Sequence, residues 1–286
     1  MSPKPSKRLS TIPPTPLLKA RQRLGKYRIR RRIGTGAFST VYEAYDTIEG
    51  IRVALKVPNR EQLDEESLET IHKEVRLTAR LNHENILSLR NAMMIDDYFV
   101  IATPLGEQAL TDRLRYRLGP KTALSYTGQL LDALAYAHEE RVIHCDIKPD
   151  NVILFPDNQI RLADFGIAKV SLQTRTIAGS GQGTVGYIAP EQAMGKPSFR
   201  SDVFSMGLLI YRMFAGELPE WPFDWPLAGT ERLRRSVSRD FIAFLRRSLE
   251  VRERKRFRDG VQMQRAFEKV APTALRSSTR PRRTPS

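Results

Sequence analysis

His144-Cys145-Asp146-Ile147-Lys148-Pro149-Asp150-Asn151, with Asp164-Phe165-Gly166 beginning thirteen residues after Asn151, is the stretch that decides how this chain is read. It sets carboxylates, a lysine and an amide in an order suited to moving a phosphoryl group. Such a transfer asks little covalent chemistry of a protein. It needs a nucleophile oriented and phosphate charge neutralised, so acidic and amide oxygens must converge on a divalent cation near one proton acceptor. Acidic side chains gathered without a cation would repel one another, so these oxygens make physical sense around Mg²⁺ or Mn²⁺.

The arrangement resembles the catalytic loop and metal-binding loop of the eukaryotic-like (Hanks-type) serine/threonine protein kinases, H-R-D-L-x-x-x-N followed by D-F-G, with Cys145 in place of the Arg. The resemblance implies that Asp146 orients the substrate hydroxyl and accepts its proton. Lys148 then steadies the γ-phosphate of ATP, and Asn151 and Asp164 hold the metal. A Lys at position 148 resembles the serine/threonine members rather than the tyrosine kinases, and Ile167 after Asp-Phe-Gly resembles members that favour Thr acceptors.

Upstream, Tyr27 to Val41 reads as strand, glycine turn, strand. Ile33-Gly34-Thr35-Gly36-Ala37-Phe38-Ser39-Thr40-Val41 resembles the family's glycine-rich loop, with Ser39 at the third glycine site. Glycines let a backbone approach phosphate oxygens and present N–H groups to them. Alone the motif is also that of a hairpin turn; Val53-Ala54-Leu55-Lys56 downstream strengthens it. The resemblance implies that Lys56 reaches the α- and β-phosphates, that Val41 and Ala54 cover the adenine, and that Ile153 completes the nucleotide site. Tyr98 to Ala102 reads as an apolar strand ending in Thr103-Pro104-Leu105-Gly106, which resembles the hinge between the lobes; on that resemblance Ile101 falls at the gatekeeper position and Ala102 beside it belongs to the nucleotide site. Residues 61 to 81 are charged and favour a helix with a partial apolar face of Ile71, Val75 and Leu77. Glu74 on it sits where the family's αC Glu lies, eight residues before Asn82-His83-Glu84-Asn85-Ile86-Leu87, and the resemblance implies that it pairs with Lys56, whose burial unpaired would be costly. Thr122 to Glu140 carries Leu130, Leu131, Leu134 and His138 at helical spacing, with His138 a packed core histidine.

Gly183-Thr184-Val185-Gly186-Tyr187-Ile188-Ala189-Pro190-Glu191 resembles the family's peptide-docking and A-P-E region, which implies a protein acceptor. On the same resemblance Thr184 bonds Asp146 and Lys148, Glu191 forms a buried ion pair with Arg256, and Asp202 caps the catalytic-loop backbone. Phe204 stands where a Trp is usual, and the tract 217 to 237 is short enough to imply a reduced docking helix. Cys145 cannot make the bidentate phosphate pair an Arg makes, so activity is expected to depend less on activation-loop phosphorylation, with Thr174, Thr176 and Ser180 still open to modification. Cys145 is read as a small buried side chain, with a redox or electrophile sensor as the alternative.

Composition bounds the rest. With 286 residues, 41% of them hydrophobic, the chain has enough apolar material for a substantial core, in one large domain or two lobes. No apolar run reaches the roughly 18 residues of a membrane span, and the Pro-rich start lacks the hydrophobic stretch of a secretory signal, so a cytoplasmic protein is expected. One cysteine excludes an intramolecular disulfide. The net charge of +15 is confined: residues 1 to 32 hold 11 Lys/Arg and residues 271 to 286 hold 4, neither with any Asp or Glu. The tract 231 to 259 is locally basic, with 11 Lys/Arg against 5 Asp/Glu.

The expected architecture is α+β, a two-lobe protein kinase-like fold over residues 27 to 270. A small β-rich N-lobe covers 27 to 102 and a larger helical C-lobe 105 to 270, flanked by basic disordered tails at 1 to 26 and 271 to 286. Those tails suit an acidic partner, nucleic acid or an anionic membrane, or are simply solvated. Their Ser and Thr residues, Ser6, Ser10, Thr11, Thr15, Ser277, Ser278, Thr279 and Thr284, are candidate autophosphorylation sites. The function this implies is transfer of the ATP γ-phosphate to Ser or Thr of proteins. The alternatives are a pseudokinase scaffold that binds nucleotide or partner without catalysis, and a nucleic-acid-binding protein whose tails do the work.

Overall fold

The computed structural model describes residues 17–36, 39–59, 65–165 and 185–276, and it divides into two units. The first takes the chain up to Arg76 together with Leu89–Leu105; the second takes Leu77–Ser88 and everything from Gly106. The first is β-rich and the second mostly helical, as the sequence implies.

The first unit is a six-stranded antiparallel sheet in the order β1-β2-β3-β4-β6-β5. Its strands are β1 (Arg23–Leu24), β2 (Tyr27–Thr35), β3 (Ser39–Asp46), β4 (Ile51–Pro58), β5 (Asn91–Ile95) and β6 (Tyr98–Pro104). Alternation decides its faces, because successive strand residues point to opposite sides. Tyr42 and Ala44, Val53, Leu55 and Val57, and Val100 and Ala102 form one buried face, packed with Leu18, Leu24, Tyr27 and Ile29. The other face carries Val41, Ala54, Lys56 and Ile101, all half-buried. Helix α1 (Glu65–Arg80) follows β4 and carries Glu74.

Three expectations change here. The N-terminal tail was expected to reach residue 26, but Leu18 is buried and β1 pairs with β2, so ordered structure begins earlier. The stretch Asn82 to Leu87 groups with the second unit rather than the N-lobe. Asn85 Nδ2 donates to Gln129 Oε1 (3.0 Å) and Ile160 O (3.1 Å), and Ile86 bridges Leu162. At the other end, Ala274 is buried, Leu275 bridges Val237 and Arg276 N–H donates to Ser236 O (3.2 Å), so residues 271 to 276, expected as tail, belong to the folded unit.

The second unit is built on helix α5 (Phe199–Ala215), most of whose residues are buried, as expected of a helix apolar on nearly all sides. Its start is fixed by a capping box between Ser198 and Ser201, and its end by Gly216 at φ +80°, a left-handed cap that suits glycine. Around it stand α2 (Leu110–Arg113), α3 (Pro120–Glu139), α4 (Pro190–Ala193), α6 (Thr230–Ser236), α7 (Arg239–Ser248) and α8 (Gly260–Val270). Proline at the first position starts α3, where a missing N–H costs nothing. Its buried Tyr126, Leu130, Leu134 and His138 hold the i, i+4 stripe read from the sequence. The docking-helix region is short, as expected: α6 has seven residues.

A small sheet, β7 (Gln108–Ala109), β8 (Val152–Phe155) and β9 (Gln159–Leu162), completes the second unit. The chain enters it through Gly106, where an added Cβ would sit 2.3 Å from Ile153 Cγ2 and 2.7 Å from the Leu154 carbonyl oxygen. The backbone oxygen cannot rotate away. Gly106→Ala is therefore expected to destabilise the second unit by about 1–3 kcal/mol, the usual range for overpacking. A urea unfolding midpoint equal to that of the parent would refute this.

Candidate active site

The quoted stretch folds as a loop between α3 and β8, and its backbone is held by one buried carboxylate. Asp202, near the start of α5, accepts from His144 N–H at Oδ2 (2.6 Å) and from Cys145 N–H at Oδ1 (2.9 Å). The capping role read for Asp202 is thus what the structure shows. Asp202 is itself fixed by His138. Gly260 N–H donates to His138 Nδ1 (2.7 Å), so the ring proton is on Nε2 and is donated to Asp202 Oδ2 (3.0 Å). His138 is a buried structural histidine, as the sequence implies.

Cys145 sits at φ +64° and Asp164 at φ +58°, conformations that cost a non-glycine residue free energy and persist only when neighbours enforce them. For Cys145 the enforcement comes from both sides of its peptide unit. Asp202 takes its N–H, and the Gln192 side-chain amide donates to its carbonyl (2.6 Å). Gln192 was missed in the sequence. Its partner is a main-chain atom 47 residues away, and no side-chain pattern encodes such a contact.

The loop then presents its functional groups together. Lys148 Nζ lies 3.1 Å from Asp146 Oδ1, and Asn151 Nδ2 donates to Asp146 Oδ2 and to the Asp146 carbonyl, both at 2.7 Å. Asn151 is tied down by its own main chain, whose carbonyl accepts from Ala163 N–H (2.8 Å), which brings the segment carrying Asp164 alongside. His144 Nε2 bonds the Ala163 carbonyl (3.1 Å), and the His144 ring packs on Phe165 with centroids 4.5 Å apart. Asp146, Lys148, Asn151 and the approach to Asp164 therefore form one constellation in the second unit. Ile153 follows on β8, on the face opposite buried Val152 and Leu154, and pairs with Ala109 and Arg161.

In the first unit, strand register gathers another group. Val41 pairs with Lys56, and Lys56 with Ile101, a directly opposed row across three strands on one face, with Ala54 opposite Thr103 one step along. Lys56 Nζ lies 3.7 Å from Glu74 Oε1 on α1, the pairing expected of them. Gly34 opposes Val41, and Gly36 N–H donates to Ser39 O (2.8 Å) where the turn closes; Ala37 and Phe38 lie outside the described residues. Ala102 does not join this row. It points to the opposite, core face, pairs with Leu55 and gives its carbonyl to Arg90 N–H (2.9 Å). The strand runs to Pro104, two residues past the end at Ala102 read from the sequence, and takes in Thr103 and Pro104 of the expected hinge.

The segment around Ala189-Pro190-Glu191 is anchored on α5. Ser205 Oγ donates to Tyr187 O (2.7 Å) and Arg212 Nη1 to Tyr187 Oη (2.8 Å). Glu191 and Arg256 make the expected pair in bidentate form, at 2.7 and 3.1 Å. Gly166, Ile167, Thr174, Thr176, Ser180 and Thr184, and the Ser and Thr positions named in the two tails, lie outside the described residues.

The Cys145 thiol is buried and, with the Asp202 and Asp146 charges adding to the effect of burial, its pKa is pushed up to about 12. A neutral, inaccessible thiol is a poor nucleophile. The inert reading of Cys145 is the one this environment supports. The chain's single cysteine should resist iodoacetamide at pH 8 in the folded protein and react fully in denaturant. Fast labelling of the native protein, followed by intact mass, would restore the sensor reading.

The Protein kinase domain family model matches residues 27–267. Among curated proteins, the chain resembles serine/threonine-protein kinase PknA of Mycobacterium tuberculosis (strain ATCC 25618 / H37Rv), 39% identical over 206 residues that cover 68% of this chain and 48% of PknA. It also resembles serine/threonine-protein kinase PrkC of Bacillus subtilis (strain 168), 33% identical over 201 residues, 68% of this chain and 31% of PrkC. The match thus spans less than half the length of these relatives. Among solved structures, the Mycobacterium tuberculosis PknI kinase domain aligns with a TM-score of 0.69 at 26% identity, covering 88% of this chain and 99% of that one.

Proposed function

We propose that this chain, which belongs to the protein kinase domain family, transfers the γ-phosphate of ATP to Ser or Thr hydroxyls of proteins. The observation that carries this reading is the Asp146–Lys148–Asn151 constellation. One carboxylate is held between an ammonium at 3.1 Å and an amide at 2.7 Å, on a loop locked by Asp202. Asp146 is the proton acceptor for the incoming hydroxyl, and Lys148 beside it supplies positive charge for the phosphate oxygens. Lys56, oriented by Glu74, is the cation proposed for the α- and β-phosphates, with Val41, Ala54 and Ile101 on the same face of the sheet offering apolar contact to the base and Gly34 and Gly36 a close backbone approach.

The donor set fits a divalent cation. The Asn151 amide nitrogen is committed to Asp146, which leaves its Oδ1 as the acceptor for a metal, and Asp164 adds a carboxylate. Asn151 and Asp164 would hold Mg²⁺ or Mn²⁺, which supplies charge neutralisation to the phosphates when bound. Cys145 supports a catalytic loop that works without a phosphate clamp, since it offers no guanidinium to a phosphorylated segment. No helix among the described residues is long and apolar enough to cross a membrane. A cytoplasmic protein, autophosphorylation and a protein substrate are parts of the same proposal.

The test is transfer from γ-labelled ATP with Mg²⁺ or Mn²⁺, to the chain itself and to a generic protein acceptor, with sites mapped by mass spectrometry. Label on Ser or Thr is the expected result. A folded protein that binds ATP yet transfers nothing under either metal would favour the pseudokinase scaffold.

A further inference from the structure

We propose that a basic pocket on the first unit, formed by Arg21, Arg28 and Arg30 around Tyr45 with Arg23 alongside, binds the phosphate of a phosphorylated Ser or Thr side chain in a protein. The pocket is a concave site of about 550 Å³ lined by those residues together with Ala20 and Ile29. It lies toward the far end of the sheet from the row containing Lys56. Tyr45 is four residues along β3 from Val41, roughly 13 Å at strand spacing.

Strand register concentrates the charge. Arg23 pairs directly with Arg28, Arg28 with Tyr45, and Tyr45 with Arg52, so three arginines line up across four strands. Like charges directly opposed in a ladder are destabilising without a counter-charge. The nearby carboxylates are already engaged. Glu43 takes Arg31 at 2.8 Å, with Arg30 at 3.5 Å and Arg52 at 3.8 Å. Asp46 takes Lys26 at 2.7 Å, and Glu49 takes Lys26 and Arg90. Among the described residues no carboxylate lies within ion-pair distance of Arg21, Arg23 or Arg28, and residues 1 to 32 contain no acid. Arg21 is also held at φ +68°, its N–H fixed to Ile29 O at 2.8 Å, in a turn that carries it to the pocket.

A dianion with several acceptor oxygens is what such a cluster lacks, and guanidinium groups bind phosphate in bidentate fashion better than other cations do. The same features argue against a nucleic-acid track. Single strands bind on repeated aromatic platforms along a long basic groove. Here there is one aromatic ring, already facing the Arg28 guanidinium at 5.7 Å, and Glu43 truncates the excess charge to three arginines. The site suits one phosphorylated residue and its flanks.

The experiment is a fluorescence-anisotropy titration of the full chain without ATP, so its outcome does not depend on whether the chain transfers phosphate. Three probes are compared: a labelled peptide with one phosphothreonine, its unphosphorylated twin, and a labelled single-stranded oligonucleotide. Wild type should prefer the phosphopeptide over its twin by about tenfold or more, as expected from charge-assisted bonds, and Arg21→Gln/Arg28→Gln should lose that preference. Arg23→Gln/Arg28→Gln provides a second pair, and equal melting temperatures confirm folding. Absence of a phosphate preference, or one that both double variants retain, overturns the proposal. An oligonucleotide that binds more tightly than the phosphopeptide and is lost in both variants assigns the pocket to nucleic acid instead.

Discussion

Replacing Asp146 by Asn is expected to reduce phosphoryl transfer by roughly 10²- to 10⁴-fold, the range for loss of a positioned general base, with little change in melting temperature. Asn has the same shape and can still accept from Asn151 Nδ2, so the loop keeps one of the two side-chain contacts that orient residue 146. What it loses is the basicity and the charge opposite Lys148, 3.1 Å away. Asp164→Asn should also abolish measurable transfer, for a different reason. It removes a metal-ligand charge, so raising Mn²⁺ or Mg²⁺ should recover part of its activity, whereas no metal concentration should rescue Asp146→Asn. Rates with labelled ATP across a metal titration separate the two. Full activity in Asp146→Asn would remove it from the proton-transfer role and leave the constellation a structural one.

Groups set a few residues apart were legible from spacing, whereas partners far along the chain, such as Asp202 and the backbone it caps, came only through resemblance, and Gln192 and the end of β6 came through neither. His144 to Asn151 is local, so its spacing carried Asp146, Lys148 and Asn151 together. Glu191 and Arg256 are 65 residues apart and were paired only through resemblance, yet the pair is there, because an arginine buried among carbonyls needs a carboxylate. The end of β6 lies two residues beyond the one read from the sequence because a strand's last residue depends on which partner still pairs with it, here Ala54 opposite Thr103 and Val53 opposite Pro104, and no local pattern announces that. Residues 17 to 26 look like tail by composition. They are ordered because Leu18 and Leu24 find the apolar face of the sheet, a tertiary effect that outweighs a basic, proline-containing context. Gln192, bonded to the carbonyl of a strained Cys145, lies beyond any reading by side-chain chemistry alone.

The second large effect concerns stability, and it follows from how completely Arg256 is enclosed. Its side chain has no exposed surface. Its guanidinium donates to both Glu191 oxygens, to Arg200 O (3.0 Å), Glu250 O (2.6 Å) and Val251 O (3.1 Å), and it lies 4.5 Å from the Phe204 ring centre. Arg256→Ala strands the Glu191 carboxylate and three carbonyls away from their donor. The expected cost is about 3–5 kcal/mol, a fall in melting temperature on the order of 10 °C for a unit of this size. Removing both charges, as in Glu191→Leu/Arg256→Met, should cost less than Arg256→Ala alone, because no buried charge is then left unpaired. The pair also predicts a pH dependence. Burial pushes the Glu191 carboxyl up, but Arg256, with the Ser201 hydroxyl at 2.8 Å, outweighs it and holds the group below its ordinary value of 4.5. A carboxyl with a depressed folded pKa contributes stability that is present above its unfolded value and lost as pH falls through the folded one. The gap in stability between wild type and Glu191→Gln should therefore be widest near neutral pH and narrow below pH ~4. Denaturant titrations at pH 7, 5 and 3.5 measure it. A gap that stays constant across that range would mean the glutamate acts through packing and hydrogen bonding rather than through its charge.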